Sequence, residues 1–445
     1  MRAPRYKSLV DELARKIRAG KLAPGTRLPT HRELATEHGM ALATATKVYT
    51  ELIQMGLISG ETGRGTFVRD LSSPPGDGQT LIPLRPGMID LGFNYPASPN
   101  HAGILREALR HIAGAGDTGA LMLAQPTAGR ARERRLVAKY LHGRGVSAAP
   151  EQLLLLGGAQ QGLTLTVMSL LRAGDVVAAD ELTYPGFIAL AKIHGLELLP
   201  IPWTEAGPDL EALGQLMRLR PVKAIFCMPT LQNPTGWVMP LAERKKLVEL
   251  AKRHDTWIIE DGTYAFLVAR APPPVHALAR ERTIYVSGLS KSVGGGVRFG
   301  FVVAPTQLYA GFEKALRALV WSSPTLIAAL VGTWLEDGTI LALEAEKRAD
   351  ARRRYQLAMK ALDRLALTGH PGSYFVWIKL PADVRADLLA AALAAKNVLV
   401  ATSESFAVGH VHPHAIRLSL AAESPERIKI ALAVVREEIA LQGCL

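Results

Sequence analysis

The stretch of residues 257–298 reads WIIEDGTYAFLVARAPPPVHALARERTIYVSGLSKSVGGGVR. It contains two apolar runs, 257–260 and 283–287. The first leads into Asp261 and Tyr264, and the second into Ser290 and Lys291. Continuous rather than alternating apolar runs are typical of strands that are buried on both faces of a mostly parallel sheet. The stretch therefore predicts an α/β domain in which polar side chains follow buried strands.

The sequence on either side of this stretch extends the same pattern. Further strand candidates are residues 152–156, 175–179, 224–228 and 299–304, and helical runs alternate with them. From about residue 340 the chain holds a basic helix, a strand candidate at 374–380 and a final helix. We therefore predict an α/β domain over residues 89–445, with a mostly parallel sheet and a smaller α+β part from about 340 to 445.

The first seventy residues have a different organisation. Helical periodicity at 6–19, 30–38 and 42–55 is followed by two short strand candidates around a Gly-rich tip. Thr30 and Glu33 have the spacing of a capping box at the start of the second helix. The Pro/Gly-rich run SSPPGDGQT at 72–80 predicts a linker over 71–88. Three short helices and a hairpin indicate a winged helix-turn-helix domain over residues 1–70.

Composition and charge narrow the possible classes of protein. With 445 residues, 48% hydrophobic and 21% charged, the chain is too apolar to be disordered. The net charge is +12, and residues 1–70 hold 12 Lys/Arg against 7 Asp/Glu. This local excess indicates a polyanionic partner for the first segment. The cysteines Cys227 and Cys444 are too few for a disulfide framework or a zinc site. The N-terminus lacks a secretory signal, and the uncharged runs 153–171 and 318–335 are interrupted by turn residues, so we expect a cytoplasmic protein without a membrane partner.

The first segment closely resembles the GntR family of bacterial transcription regulators over residues 5–69. The resemblance rests on GTRLPTHRELA at 25–35, Tyr49 and GRGTFV at 63–68. It implies that Arg32 contacts DNA phosphate, that the helix from about Leu42 reads the major groove, and that Arg64 on the wing approaches the minor groove. The family usually opens this helix with Ser-Arg, whereas this chain has Ala41 and Leu42. The polar candidates for the remaining contacts to double-stranded operator DNA are Thr44, Thr46, Lys47 and Thr66. A helical dimerisation module with a solvated basic face is the alternative.

The large domain carries residues suited to pyridoxal phosphate. This cofactor requires an amine for a Schiff base, a carboxylate to keep its pyridine nitrogen protonated, and donors for its phenolate oxygen and phosphate. GGAQQG at 157–162 follows a strand and opens a helix, which suits a phosphate, and NPTG at 233–236 follows another strand.

These residues, in this order, resemble fold-type I aminotransferases from about residue 90 to 440. The resemblance implies that Lys291 forms the internal aldimine, that Asp261 pairs with the pyridinium, and that Tyr184 stacks on the ring. Asn233 and Tyr264 would bond the ring oxygen. The phosphate would lie on the backbone of Ala159 and Gln160, the Ser290 hydroxyl and Arg298. Arg417 would form a fork with a substrate carboxylate.

At three positions the chain lacks a hydroxyl that the aminotransferase pattern usually has. Ala124 replaces the tyrosine that, in the aminotransferase pattern, reaches the partner subunit's cofactor phosphate. Ala159 and Gly288 occupy positions where serines are frequent in that pattern. Each lost hydrogen bond to a charged phosphate corresponds to roughly 1–3 kcal/mol. Cofactor affinity and transamination are both left open by these departures. A separate alternation, His410, His412 and His414, could place imidazoles on one face of a strand, but Pro413 interrupts it, and we expect a loop rather than a metal site.

A winged helix joined by a linker to an aminotransferase-like domain resembles the MocR subfamily of GntR regulators from end to end. The main hypothesis is a transcription regulator in which an amino-compound effector displaces Lys291 in an external aldimine and engages Arg417. The resemblance implies a homodimer with exchanged DNA-binding domains. The second hypothesis is an active aminotransferase with an accessory DNA-binding domain. The third is a regulator whose large domain has lost the cofactor and only dimerises.

Overall fold

A computed structural model describes residues 5–61, 65–69, 87–95, 100–115, 118–381, 383–409 and 411–443. The N-terminal segment forms a three-helix unit with a hairpin. Its elements are α1 (Arg5–Arg18), β1 (Arg27–Leu28), α2 (His31–Glu37), α3 (Leu42–Gln54), β2 (Ile58–Glu61) and β3 (Gly65–Val68). The predicted capping box is present, since Thr30 Oγ1 accepts from Glu33 N and Glu33 Oε2 accepts from Thr30 N. Most of the predicted linker lies outside the described residues, so the boundaries at 70 and 88 stay predictions.

After the linker come the elements up to residue 336, which build a large α/β unit except for β4. They are β4 (Ile89–Asp90), α4 (His101–Gly114), α5 (Ala131–His142), β5 (Leu153–Leu156), α6 (Ala159–Leu170), β6 (Val176–Asp180), α7 (Pro185–Ile193), β7 (Glu197–Ile201), β8 (Trp203–Thr204), β9 (Gly207–Pro208), α8 (Leu210–Leu219), β10 (Val222–Cys227), α9 (Leu241–Arg253), β11 (Trp257–Asp261), α10 (Val275–Leu278), β12 (Thr283–Gly288), β13 (Gly300–Val303), α11 (Thr306–Val320) and α12 (Thr325–Glu336).

The remaining elements form a smaller unit, and β4 belongs to it because it pairs with β16. They are α13 (Thr339–Ala361), β14 (Ala366–Thr368), β15 (Phe375–Lys379), α14 (Ala386–Ala395), β16 (Val398–Leu399), β17 (Ala401–Thr402), β18 (Val411–His412), β19 (Ala415–Ser419) and α15 (Pro425–Gly443). Short 3-10 turns cover Gly119–Met122, Pro150–Gln152, Ala265–Leu267, Gly295–Val297 and Ser403–Phe406.

The central sheet of the large unit has seven strands in the order β5-β13-β12-β11-β10-β6-β7. The pairs from β12 to β7 are parallel, and β13 is antiparallel to both of its neighbours. The predicted α/β fold with a mostly parallel sheet is confirmed. The strand candidates omitted β7, a sheet-edge strand whose side chains are mostly half-buried or exposed and therefore give no continuous apolar run.

Helix α6 lies directly on the sheet and brings its N-terminus to the strand ends. A Cβ on Gly162 would lie 2.7 Å from Val286 Cγ1 and 3.0 Å from Val302 Cγ2, so only glycine allows this approach. Asp261 and Gly288 end β11 and β12, and the start of α6 meets them at the same sheet edge. This edge is where ligands bind in open α/β sheets.

The winged-helix unit packs on the smaller unit through its hairpin. Strand β18 pairs with β2 in parallel, with Val411 opposite Gly60. An ion pair joins Arg69 Nη1 to Glu404 Oε1 at 3.1 Å, and the Arg385 guanidinium lies 4.4 Å from the centre of the Phe67 ring. Strand β18, which pairs with the hairpin strand β2, is followed after two residues by β19.

Within the described ranges, no single helix is both long and apolar enough to cross a membrane. One pair, Thr325–Glu336 with Thr339–Ala361, meets the length and composition criteria only when taken together, and it bends by 76° at the break.

Candidate active site and nucleic-acid interface

The residues predicted to bind the cofactor and the effector line one cavity of about 730 Å³. The structure brings together all of them: Ala159, Gln160, Tyr184, Asn233, Asp261, Tyr264, Ser290, Lys291, Arg298 and Arg417. They come from the ends of separate strands, the start of α6 and the small-unit strand β19. Their individual roles stay predictions.

The start of α6 forms one end of the cavity. Gly158 precedes the helix with φ +115°, a conformation that favours glycine, and exposes the first N–H groups of Ala159 and Gln160. Arg298, itself left-handed at φ 45°, brings its guanidinium against this turn, because a Cβ on Gly158 would lie 2.8 Å from its Nη2. Backbone donors, a helix N-terminus and a guanidinium at one place suit a phosphate group.

Backbone packing explains why residue 288 is a glycine. A Cβ at this position would lie 2.9 Å from the Phe299 carbonyl oxygen and 3.2 Å from Ala159 N. Both contacts are with backbone atoms, which cannot rotate away as a side chain can. This backbone therefore has no room for the serine that is frequent in the family pattern, and the missing hydroxyl at 288 follows from the close approach of β12 to the phosphate turn.

Lys291 lies at the other side of the cavity and is held by the chain segment that follows the linker. Its Nζ donates to the Asn94 carbonyl oxygen at 2.5 Å and lies 5.5 Å from the centre of the Phe93 ring. Burial, assisted by the nearby cations Arg417 and Arg298, lowers the pKa of Lys291 to about 8. A lysine with this pKa supplies more neutral amine near neutral pH, which a nucleophilic role requires.

Asp261 ends β11 and is 3% exposed. Its Oδ1 accepts from Thr263 N at 2.8 Å. Burial raises the pKa of this carboxyl, and the bonds from Thr263 and the charge of Lys291 oppose that rise. A protonated ring nitrogen placed against it would favour the ionised form, so the site suits a carboxylate–pyridinium pair.

Arg417 is the most deeply buried cation of the cavity, at 2% exposure. Its Nη1 donates to Asn233 Oδ1 at 2.9 Å, and its Nη2 donates to the Gly92 carbonyl oxygen. Among the described residues its Nε has no hydrogen-bond partner. Burial lowers the pKa of Arg417 to about 10, and the Phe406 ring lies 4.8 Å from its guanidinium carbon. The bond to Arg417 uses the oxygen of the Asn233 amide, which leaves the NH2 group to donate to a ligand.

The sequence did not predict that Gly92 and Asn94 belong to the site. Asn94 is 3% exposed, and its Nδ2 donates to Tyr264 Oη at 3.0 Å. Burial raises the pKa of Tyr264 to about 12, so its phenol keeps its proton for hydrogen bonding. Residues 92–95 read GFNY, which has neither helical nor alternating periodicity, and no sequence signal marked them.

A buried network supports the loop that carries Asn233. Gln232 Nε2 donates to Asp180 Oδ2 at 3.2 Å, and its Oε1 accepts from Thr235 N at 3.1 Å. Burial raises the pKa of Asp180 to about 7. The carboxamide of Gln232 thus joins the end of β6 to the loop around Asn233 and fixes its path.

The comparisons with known proteins agree with the resemblance predicted for each part of the chain. The model of aminotransferase class I and II matches residues 86–435, and the model of bacterial regulatory proteins, gntR family, matches residues 5–68. The chain belongs to the aminotransferase class I and II family. It also carries a GntR domain at its N-terminus, which indicates DNA binding.

Several relatives share one or both domains. YdeF of Bacillus subtilis, an uncharacterized HTH-type transcriptional regulator, is 27% identical over 97% of this chain and 94% of its own length. The probable rhizopine catabolism regulatory protein MocR of Rhizobium meliloti is 28% identical over 75% of this chain and 72% of its own length. The 2-aminoadipate transaminase of Thermus thermophilus is 31% identical over 72% of this chain and 81% of its own length. The predicted MocR-type layout is confirmed.

Among solved structures, the alpha-aminoadipate aminotransferase of Thermus thermophilus, complexed with N-(5'-phosphopyridoxyl)-L-leucine, is 26% identical with a TM-score of 0.72. It covers 83% of this chain and 98% of its own. The predicted fold-type I aminotransferase architecture is confirmed. The donor set of the cavity fits pyridoxal phosphate, with an amine, a buried carboxylate, a phenol, an amide and a phosphate turn in one place.

The residues of the GntR domain that are predicted to contact DNA differ in their exposure. Arg32, Thr46 and Lys47 are exposed, whereas Thr44 and Thr66 are half-buried. The Lys47 ammonium lies 4.7 Å from the centre of the Tyr6 ring. Thr46 Oγ1 donates to the Leu42 carbonyl and lies 3.2 Å from His31 Nδ1, which ties α3 to α2. Arg64 lies outside the described residues, so its contact with the minor groove stays a prediction.

An exposed arginine beside the hairpin was also missed from the sequence. Arg27 lies on β1, and its side chain extends along β3, since a Cβ on Gly65 would lie 3.1 Å from Arg27 Nε. Its position in a loop between two predicted helices gave no signal of proximity to the wing. Leu42 is 48% exposed at the start of α3, where an arginine is usual in the family.

The histidines of the aminotransferase domain that precede β19 do not share one strand. His412 is on β18, His414 follows it beyond Pro413, and His410 lies outside the described residues. Ser403 Oγ lies 3.1 Å from His412 Nδ1 and donates to the Pro413 carbonyl. In the described part of the chain, no group of three or more His, Cys, Asp or Glu side chains is placed to hold a metal ion.

Proposed function

We propose that this chain is a DNA-binding transcription regulator whose aminotransferase domain binds pyridoxal phosphate and responds to an amino compound that carries a carboxylate. The GntR domain supports the DNA-binding part, and the cavity supports the sensing part. In this proposal the DNA is a double-stranded operator, the protein lies in the cytoplasm with it, and Arg32, Thr44, Thr46, Lys47, Arg64 and Thr66 supply contacts to it.

The choice of effector class rests on one observation: a buried guanidinium shares the cavity with a half-buried amine and forms hydrogen bonds only to neutral groups. Arg417 donates to an amide oxygen and to a backbone carbonyl, and no carboxylate among the described residues forms a salt bridge with it. The charge of Asp90 acts on Arg417, but Asp90 Oδ1 accepts from the N–H groups of Gly92 and Phe93 and forms no salt bridge with Arg417 among the described residues. A buried cation without a carboxylate in direct contact is costly, and a ligand carboxylate would offset this cost. An amino acid supplies that carboxylate together with an amine that can compete with Lys291.

Pyridoxal phosphate, when bound, supplies an aldehyde carbon that binds amines covalently. The residues of the chain would hold it in place. Lys291 supplies the amine, Asp261 holds the proton on the ring nitrogen, and Tyr184 covers the ring face. Asn233 and Tyr264 donate to the ring oxygen. The N–H groups of Ala159 and Gln160, the Ser290 hydroxyl and Arg298 hold the phosphate.

A homodimer is part of the proposal. Met122, Leu123 and Trp321 are 89%, 66% and 69% exposed. The segments that carry them are joined, because Ser323 Oγ donates to the Thr127 carbonyl at 3.1 Å. Large apolar side chains exposed on neighbouring segments are typical of a surface that another chain covers.

The direct test is a titration of the purified full-length chain with pyridoxal phosphate, followed by visible absorption. The proposal expects an absorption band that is lost in Lys291→Ala, a further spectral change on addition of an amino acid, and altered affinity for the chain's own upstream DNA. A colourless protein would refute the role of Lys291 and favour the third hypothesis, a large domain that only dimerises. Absence of sequence-specific DNA binding at every effector concentration would refute regulation.

The second candidate is an active aminotransferase with an accessory DNA-binding domain. The presence of Lys291, Asp261 and Arg417 in one cavity supports it, as does the 31% identity to a transaminase. Product analysis with an oxo acid as acceptor separates the two. Multiple turnovers per chain support the enzyme, whereas a spectral change without turnover supports the sensor.

A further inference from the structure

The chain segment that follows the linker crosses the cavity in a fixed position. Asp90 Oδ1 accepts from Gly92 N at 2.7 Å and from Phe93 N at 3.0 Å. Ser419 N donates to the Leu91 carbonyl at 2.6 Å. These bonds hold residues 91–93 against strand β19, two residues from Arg417.

Two carbonyl groups of this segment accept hydrogen bonds from the two cations that an amino acid would contact. Arg417 Nη2 donates to the carbonyl of Gly92, and Lys291 Nζ donates to the carbonyl of Asn94. Phe93 is the residue between them. A ligand whose carboxylate meets Arg417 and whose amine lies near Lys291 would therefore lie close to residues 92–94 and to the Phe93 ring, whose centre is 5.5 Å from Lys291 Nζ.

The side chains at this point are aromatic. The Phe93 and Tyr95 rings stack with centroids 6.1 Å apart and planes 27° apart, and both line the cavity. The backbone of Gly295 supports the Tyr95 ring, because a Cβ there would lie 2.0 Å from Tyr95 Cε2. Two stacked rings held in place offer an apolar surface to the side chain of a ligand.

Each charged residue in the described lining of the cavity already has a predicted partner on the cofactor or the effector. These residues are Asp261 for the ring nitrogen, Lys291 for the amine, Arg298 for the phosphate and Arg417 for the carboxylate. Beyond these four, the described lining of the cavity has no Asp, Glu, Lys or Arg side chain that could pair with a second charged group on the ligand near Phe93 and Tyr95.

We propose that the effector is an α-amino acid with one carboxylate and a large, uncharged, apolar side chain, and that Phe93 and Tyr95 determine this specificity by packing against that side chain. This inference rests on the proposed function and gives it a substrate class. It concerns only the side chain of the ligand, whereas the proposed function concerns its amine and carboxylate.

The test is a spectral titration of the full-length chain loaded with pyridoxal phosphate, with L-phenylalanine, L-leucine, L-alanine, L-glutamate and L-lysine as probes. Phenylalanine and leucine are expected to bind at least about tenfold more tightly than alanine, which is the low end of what an added hydrocarbon group contributes in an apolar pocket. Phe93→Ala should lower that preference, measured within the variant as the ratio of the Kd of alanine to the Kd of leucine, by about tenfold. Phe93→Leu should retain most of the preference.

Leu219→Ala removes an exposed apolar side chain on α8, outside the cavity, and is the matched control that should change nothing. Tighter binding of glutamate or lysine than of leucine would overturn the inference, because it would require a charge that the partner copy supplies. Equal binding of all five probes would overturn it as well, while leaving the proposed function intact. No spectral response to any probe would instead contradict the proposed function.

Discussion

Arg417 of the aminotransferase domain and the cations of the GntR domain that are predicted to contact DNA lie in opposite environments. In the aminotransferase domain, Arg417 is 2% exposed and each of its bonds goes to a specific carbonyl or amide oxygen. In the GntR domain, Arg32 and Lys47 are exposed on the surfaces of α2 and α3.

This difference predicts how each region responds to change. A buried cation acts through a few fixed contacts, and its replacement leaves those partners unsatisfied, so the effect is large and confined to one ligand. An exposed cation acts mainly through the field that it shares with its neighbours, so its effect is modest and depends on salt.

The largest effect is expected for Arg417→Lys. A lysine keeps the positive charge but loses the planar fork that can hold a carboxylate with two bonds. Effector affinity should fall about 10- to 100-fold, in line with about 1.5–3 kcal/mol for hydrogen bonds to charged groups. The measurement is the spectral Kd of an amino acid and of the corresponding amine without a carboxylate. The amine should bind both proteins alike, and an equal loss for both ligands would contradict the role of Arg417.

Gly300→Ala tests whether the phosphate turn depends on close backbone packing. A Cβ at Gly300 would lie 2.5 Å from Gly158 C and 2.8 Å from Ala159 N. The free energy of unfolding should fall by about 1–3 kcal/mol, and cofactor affinity should fall with it, because the Ala159 N–H must shift. Gly296→Ala is the matched control, since its Cβ would meet nothing within 4 Å. Equal stability of the two variants, measured by urea denaturation, would show that the turn adapts.

The lowered pKa of Lys291 predicts a pH dependence for cofactor capture. The pKa of about 8 lies below the ordinary value of 10.5, so the ammonium form dominates only below about pH 8. The rate at which the visible band appears should rise about tenfold per pH unit below 8 and level off above it. Arg417→Gln removes one of the charges that lower this pKa and should move the midpoint upward. A midpoint near 10.5 in the unmodified chain would mean that burial does not tune this amine.

The same contrast explains how far the sequence could predict each region. The resemblance to fold-type I aminotransferases implied that Lys291, Asp261 and Asn233 share one site. Asp261 ends a buried strand and the other two each follow one, so they could be located from apolar runs in the sequence. Gly92 and Asn94 could not, because they act through backbone carbonyls and one amide in an aperiodic segment. Their partners lie some 170 to 330 residues away in the chain.

In the GntR domain the sequence predicted the helices and the capping box of Thr30 and Glu33, since these depend on local spacing. It did not predict that Arg27 would lie beside the wing. That proximity comes from the pairing of β1 with β3, where Arg27 lies opposite Phe67. The pairing of β18 with the wing was missed for the same reason, because a two-residue strand carries no periodicity.

The smallest effect is expected for Lys47→Ala in the GntR domain. If this exposed cation contacts a phosphate, its removal should weaken DNA binding only a few-fold, and equally for specific and unrelated sequences. The slope of log K against log salt should become shallower by about 0.9 for each chain that contacts DNA, because one fewer counterion is released. The measurement is DNA affinity over a series of salt concentrations.

The control for this variant is Lys223→Ala, which removes the same charge from an exposed position on β10 of the large sheet. If both variants change the salt slope equally, the DNA responds to the overall charge of the protein rather than to α3. If Lys47→Ala alone lowers affinity, and does so for one sequence only, then Lys47 contacts a base rather than a phosphate. The cations of the GntR domain would then resemble Arg417 in acting through specific contacts, and the contrast between the two regions would narrow to burial alone.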